Sequence, residues 1–92
     1  MSVSSSLLTA IDRAVVVIGT NAHRLRFVSA DTDERSPLSA RRVVITVETI
    51  YGGELVRASS WFTMTDLGDT PFVVRCLVNR IRAALANARN AS

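Results

Sequence analysis

Arg41-Arg-Val-Val-Ile-Thr-Val-Glu-Thr-Ile-Tyr51-Gly52-Gly53-Glu54-Leu-Val-Arg-Ala-Ser-Ser-Trp-Phe62 sets two runs of β-branched and aromatic residues on either side of a Gly-Gly pair. Two residues that accept positive φ are what a type I′ turn requires, so the stretch predicts a β-hairpin with Gly52 and Gly53 as its loop. The register follows from the loop. It sets Tyr51 opposite Glu54, Glu48 opposite Arg57, Thr46 opposite Ser59, Val44 opposite Trp61 and Val43 opposite Phe62. Glu48 and Arg57 then form a cross-strand ion pair, and the apolar partners also match.

Side chains alternate along a strand, so this hairpin has two unlike faces. Val43, Ile45, Val47, Val56, Ala58 and Phe62 make one, which is apolar. The other is mixed, with Arg42, Val44, Thr46, Glu48 and Ile50 on the first strand and Leu55, Arg57, Ser59 and Trp61 on the second. Trp61, Val44, Ile50 and Leu55 together are more than a purely solvated face offers, which makes this the candidate working surface. Scattered apolar residues are also routine on antiparallel sheets, and that plainer reading stands beside it.

Working outward, residues 24–30 read as a strand with Leu25 and Phe27 on one side and Arg24, Arg26 and Val28 on the other. A polar, proline-containing stretch follows over residues 31–40, predicted as a flexible loop. Near the start, Ser4, Ser5 and Ser6 offer N-caps for a helix running to about Ile18, with Leu7, Leu8, Ile11, Val15 and Ile18 as its stripe and Gly19 as its C-cap. The β-branched run from Val15 to Ile18 favours an alternative, in which the helix stops near Asp12, a fourth strand begins at Ala14, and Gly19-Thr20-Asn21 is a hairpin turn.

Beyond the hairpin, Thr70 before Pro71 reads as an N-cap, because the residue before proline leaves the helical region while proline suits the first helical turn. The helix it opens is predicted over residues 71–88, with Val73, Val74, Leu77, Val78, Ile81, Ala84, Leu85 and Ala88 on one apolar arc. Arg75, Arg82 and Arg89 align at seven-residue spacing on the far side, with Asn79 between them. Such arginines are ordinary on a surface helix, and the last of them also favour the negative end of its dipole. The expected fold is α+β: a two-layer sandwich in helix-strand-strand-strand-helix order, with a three-stranded antiparallel sheet and both helices on one face.

That order is similar to the one found in double-stranded RNA-binding domains, including the glycine turn between the second and third strands. The similarity covers about Ser6 to Ala88 and is one of element order. Those domains carry a lysine cluster at the start of the second helix, where this chain has Thr70-Pro71-Phe72-Val73-Val74-Arg75. The departure falls on the motif that would be specific, and no family assignment follows from the order alone.

At 92 residues the chain has room for one domain, expected to span 1–92 with an ordered core over about 6–88. It can bury only about 60–65% of its unfolded surface, so the core is thin and association would add to it. Net charge is +3, and all eleven basic residues are arginine. Arginine suits phosphate or an acidic partner, but a compositional habit of the genome would also replace every lysine. A single cysteine, Cys76, excludes an internal disulfide and a Cys-rich metal site. The first eight residues lack the basic start and apolar core of a secretory signal, and the longest apolar run, residues 14–18, is too short for a bilayer. A cytoplasmic protein without membrane contact is the expectation.

The catalytic inventory is poor. His23 is the one histidine, and nothing places a nucleophile beside it or beside a carboxylate, so it reads as a half-exposed spacer. Cys76 reads as a small packed hydrophobe. Asp31, Asp33 and Glu34 begin like a calcium loop, yet Arg35 and Ser36 stand where an oxygen ligand and a glycine belong. No cofactor is expected.

Two functions remain. The first is a non-enzymatic protein-interaction module, an adaptor, inhibitor or structural subunit and a homodimer in its simplest form. It would dock through Trp61, Val44, Ile50 and Leu55, with Arg57, Arg42 and Arg26 at the edge. The second is nucleic-acid binding through Arg75, Asn79, Arg82 and Arg89, which would follow a backbone along about 21 Å of helix. A charge of +3 is weak for a dedicated nucleic-acid binder, which puts the interaction module first.

Overall fold

A computed structural model describes residues 3–32 and 41–91. The chain runs α1 (Ser5–Arg13), β1 (Val15–Ile18), β2 (Asn21–Arg24), β3 (Arg26–Thr32), β4 (Arg42–Tyr51), β5 (Glu54–Thr63), a 3₁₀ turn (Asp66–Gly68) and α2 (Thr70–Ala91). β1 and β2 form one antiparallel pair, and β3, β4 and β5 form a second antiparallel sheet in that order. The class is α+β as expected and the three-stranded antiparallel sheet is present, but a second, two-stranded sheet joins it, so the element order departs from the predicted one and from that of double-stranded RNA-binding domains.

The β4–β5 hairpin has the predicted register throughout, from Tyr51 opposite Glu54 to Arg42 opposite Thr63. Gly52 and Gly53 have φ of 60° and 81°, the pair of positive values a type I′ turn needs. Its apolar face meets the core, with Val43, Ile45, Val47 and Phe62 buried and Val56 and Ala58 half-buried.

The amino-terminal reading needs correction. Helix α1 opens at Ser4, whose hydroxyl accepts from Leu7 N at 3.2 Å, and it closes at Ala14, not near Ile18. The β-branched run wins: Val15 to Ile18 is a strand paired with residues 21–24. Gly19 is therefore no helix cap. It takes φ 63° at the first position of a two-residue hairpin loop, and among the described residues no non-glycine residue, Thr20 included, has positive φ, the pattern of a type II′ turn. Val16 faces the core while Val15 and Val17 are exposed.

Only Leu25 separates β2 from β3, and it is buried. The chain bends there: Leu25 N still donates to Ala14 O at 3.0 Å, continuing the β1–β2 ladder, while Arg26 already pairs with Glu48 on β4. The predicted loop at 31–40 starts later than expected, since Asp31 and Thr32 belong to β3, and residues 33–40 lie outside the described part of the chain, including Asp33, Glu34, Arg35 and Ser36.

Helix α2 is also capped one residue earlier than predicted. Phe72 N donates to Asp69 Oδ1 at 3.2 Å, so Asp69 and not Thr70 supplies the capping oxygen. Val73, Leu77, Ile81 and Leu85 are its buried stripe, joined in one core by Leu7 and Ile11 of α1, Val16, Leu25 and the inner face of β4 and β5. Phe62 and Phe72 meet edge to face at 6.3 Å. Among the described residues no helix is long and apolar enough to cross a membrane.

Candidate functional site

The face of β3–β4–β5 turned away from this core is built in rows, each set by strand register. Ile50 lies beside Leu55; then Glu48 between Arg26 and Arg57; then Thr46 between Ser29 and Ser59; then Val44 between Asp31 and Trp61; and last Arg42 beside Thr63. All seven residues expected to form a protein interface, Trp61, Val44, Ile50, Leu55, Arg57, Arg42 and Arg26, are exposed and share this face. Relative exposure is 39% for Val44, 63% for Ile50, 54% for Leu55 and 51% for Trp61.

Glu48 is the exception on this surface, with 3% exposure. Its Oε1 accepts from Arg26 Nε at 2.9 Å and also from Arg26 Nη2, and its Oε2 accepts from Arg57 Nε at 3.0 Å. The expected Glu48–Arg57 pair is thus one half of a three-residue bridge across all three strands. The hydrogen bond from Arg57, opposed by burial and reinforced by Arg26, holds the Glu48 carboxyl below its usual value of 4.5. Each guanidinium has five N–H donors, so both keep spare ones after binding Glu48.

Further along, Thr46 Oγ1 and Ser59 Oγ lie 2.7 Å apart, and the Arg42 guanidinium stacks over Trp61. At the opposite end a cleft of about 380 Å³ opens between this face and the close of α1. Asp12, Arg24, Leu25, Ile50 and Leu55 are among its lining residues, and Arg24 Nε donates to the Asp12 carbonyl at 2.6 Å.

Two members of the face escape the sequence. Strand β3 carries a bulge between Phe27 and Ser29, which makes Val28 the extra residue and resets the alternation. Ser29 and Asp31, not Val28, consequently pair with the outer-face residues Thr46 and Val44. Strict alternation gives no sign of such a bulge.

No family model, curated protein or solved structure matches this chain. The geometry of the face therefore stands as its own argument.

The remaining candidates lie elsewhere. Arg75, Asn79, Arg82 and Arg89 are exposed on α2, where Arg82 Nη1 donates to Asn79 Oδ1 at 3.2 Å and Arg75 lies 5.9 Å from the Phe72 ring. They do not join the sheet face. His23 is half-buried, with Nδ1 3.2 Å from the Ile50 carbonyl and its ring 5.7 Å from Tyr51. A carbonyl only accepts, so Nδ1 carries the proton, and the residue ties β2 to the end of β4. Cys76 is half-buried against the core.

Proposed function

We propose that the protein is a non-enzymatic protein-interaction module that docks through the outer face of β3–β4–β5. The observation that carries this reading is the exposure of Trp61, Val44, Ile50 and Leu55 on one face, interleaved with Arg26, Arg42 and Arg57. Two apolar pairs, Ile50 with Leu55 and Val44 with Trp61, flank a polar middle on this face, and tryptophan and arginine are the residues enriched at interface hot spots. The Glu48 bridge adds to the case. It holds Arg26 and Arg57 in place before a partner arrives, which lowers the entropy lost on docking.

A cytoplasmic setting goes with this reading, since a single cysteine asks for no oxidising compartment. The test is sedimentation equilibrium of the purified protein and of Val44→Asp, which places a charge on the central strand beside Trp61. Self-association lost in Val44→Asp supports docking through this face. Association unaffected by Val44→Asp and by Trp61→Ala counts against it.

A second reading, nucleic-acid binding along α2, rests on Arg75, Asn79, Arg82 and Arg89 lying exposed on a helix that carries no acidic residue. It requires that duplex DNA or RNA bind with a steep salt dependence, and that the Arg75→Ala, Arg82→Ala double variant lose that binding without change in oligomeric state.

A further inference from the structure

Resting on the interaction-module reading and narrowing it, we infer that the partner is a second copy of this chain, added strand to strand along the free edge of β5. β5 is the last strand of its sheet, with β4 on one side and, among the described residues, no strand on the other. In a hairpin with a two-residue loop the pair flanking the loop exchanges both hydrogen bonds, and such pairs then alternate along the ladder. Counting from Tyr51 and Glu54, the residues that turn N–H and C=O away from β4 are Leu55, Arg57, Ser59, Trp61 and Thr63.

One contact checks that alternation independently. Thr63 N donates to Asp66 Oδ2 at 3.0 Å, as an outward-facing group must if it is to be satisfied beyond the ladder. Asp66 N returns a bond to Thr63 Oγ1 at 3.1 Å, so this end of the edge is closed by its own turn. The open part is Leu55, Arg57, Ser59 and Trp61. Among the described residues its one guard is the charge of Arg57: β5 has no proline, and its register with β4 runs without a bulge. The other edges are poorer, since β3 is bulged at Val28 and β1 has only four residues.

Charge and geometry choose the occupant and its register. Two copies related by a two-fold axis pair antiparallel, with outward-facing residues opposite outward-facing residues. An axis at Arg57 would set two guanidiniums against each other. An axis at Ser59 would set Leu55 opposite Thr63, whose N–H already serves Asp66. An axis at Ala58 pairs Leu55 with Trp61 at both ends and Arg57 with Ser59 between, so that every open group on the edge meets another. The two three-stranded sheets join into one, and Leu55 and Trp61, each half exposed in the single chain, cover each other across the seam.

Sedimentation equilibrium is read on the wild type, Ser59→Pro and Val44→Asp, with disulfide trapping in a Cys76→Ser background. Proline at Ser59 removes an outward N–H that β4 does not use, and edge strands tolerate it. The expected result is a dimer whose dissociation constant rises at least about tenfold in Ser59→Pro, the loss of roughly 1.4 kcal/mol or more. Far-ultraviolet circular dichroism should be unchanged.

Ala58→Cys should form a disulfide-linked dimer under mild oxidation while Ser59→Cys does not. Only position 58 faces itself across the axis, at the roughly 4.5 Å Cα separation of a non-hydrogen-bonded pair, and a disulfide accepts that distance. A monomeric wild type, or a dimer that neither weakens in Ser59→Pro nor cross-links through Ala58→Cys, overturns edge pairing. Val44 sits on the central strand, opposite Trp61, and gives no backbone group to the edge ladder. Association lost in Val44→Asp but kept in Ser59→Pro would sink the edge pairing and leave the outer-face reading standing.

Discussion

The guanidinium carbon of Arg42 lies 4.2 Å from the centroid of the Trp61 ring. A cation over an aromatic face is worth about 0.5–1 kcal/mol at an exposed site, enough to bias the indole towards one orientation. The largest side chain on the outer face is thereby partly preorganised in the single chain. Trp61→Ala should weaken association by about 2 kcal/mol or more, the scale of a hot-spot aromatic, while the urea midpoint of the isolated subunit moves less than for a core truncation. Titration by sedimentation beside urea unfolding gives both numbers.

Ile45 marks the opposite face of the same strand and is fully buried. Ile45→Ala should cost about 2–5 kcal/mol of folding free energy by urea denaturation, a large share for a domain of this size. A loss under about 0.5 kcal/mol would be incompatible with its place in the core.

Glu48 should make stability depend on acid. Its carboxyl is held below 4.5 in the folded chain, chiefly by the hydrogen bond from Arg57. The folded state thus binds the proton less readily than the unfolded one, so the stabilisation is present above the unfolded value and is lost as pH falls through the folded one. Urea midpoints measured from pH 7 down to pH 2 should fall more steeply for the wild type than for Glu48→Gln. The two curves should converge at the acid end.

Both hairpin loops need glycine for the backbone alone. A Cβ built at Gly19, Gly52 or Gly53 meets no heavy atom within 4 Å, so any cost of substitution there comes from positive φ. Gly53→Val combines φ 81° with a β-branched side chain and should be tolerated worst, while Gly19→Ala should cost about 1–2 kcal/mol. Thermal unfolding of the two variants ranks them.

Where sequence and structure agree, a local rule had no competitor. The Gly-Gly pair dictated the β4–β5 register because a two-residue loop leaves no freedom, and the outer face with Trp61, Val44, Ile50 and Leu55 followed by alternation. The period of α2 was similarly plain, since Val73, Leu77, Ile81 and Leu85 recur every fourth residue. Disagreement arises where two rules compete. Residues 15–18 satisfy a helical stripe and a β-branched run at once, and pairing with residues 21–24 resolved them as strand. The bulge at Val28 and the addition of Arg26 to Glu48 depend on how β3 lies against β4, a long-range matter that neither composition nor period encodes.

The first and last helices share a core, Leu7 and Ile11 with Ile81 and Leu85, and this places a long loop closure at the heart of the fold. Each hairpin closes two residues, whereas the contact between α1 and α2 joins segments roughly 60 residues or more apart in the chain. Loop-closure entropy alone would have the turns form early and the clasp between the helices late. Leu7→Ala should speed unfolding while leaving the folding rate nearly unchanged, whereas Val47→Ala, inside the β4–β5 ladder, should slow folding in stopped-flow traces.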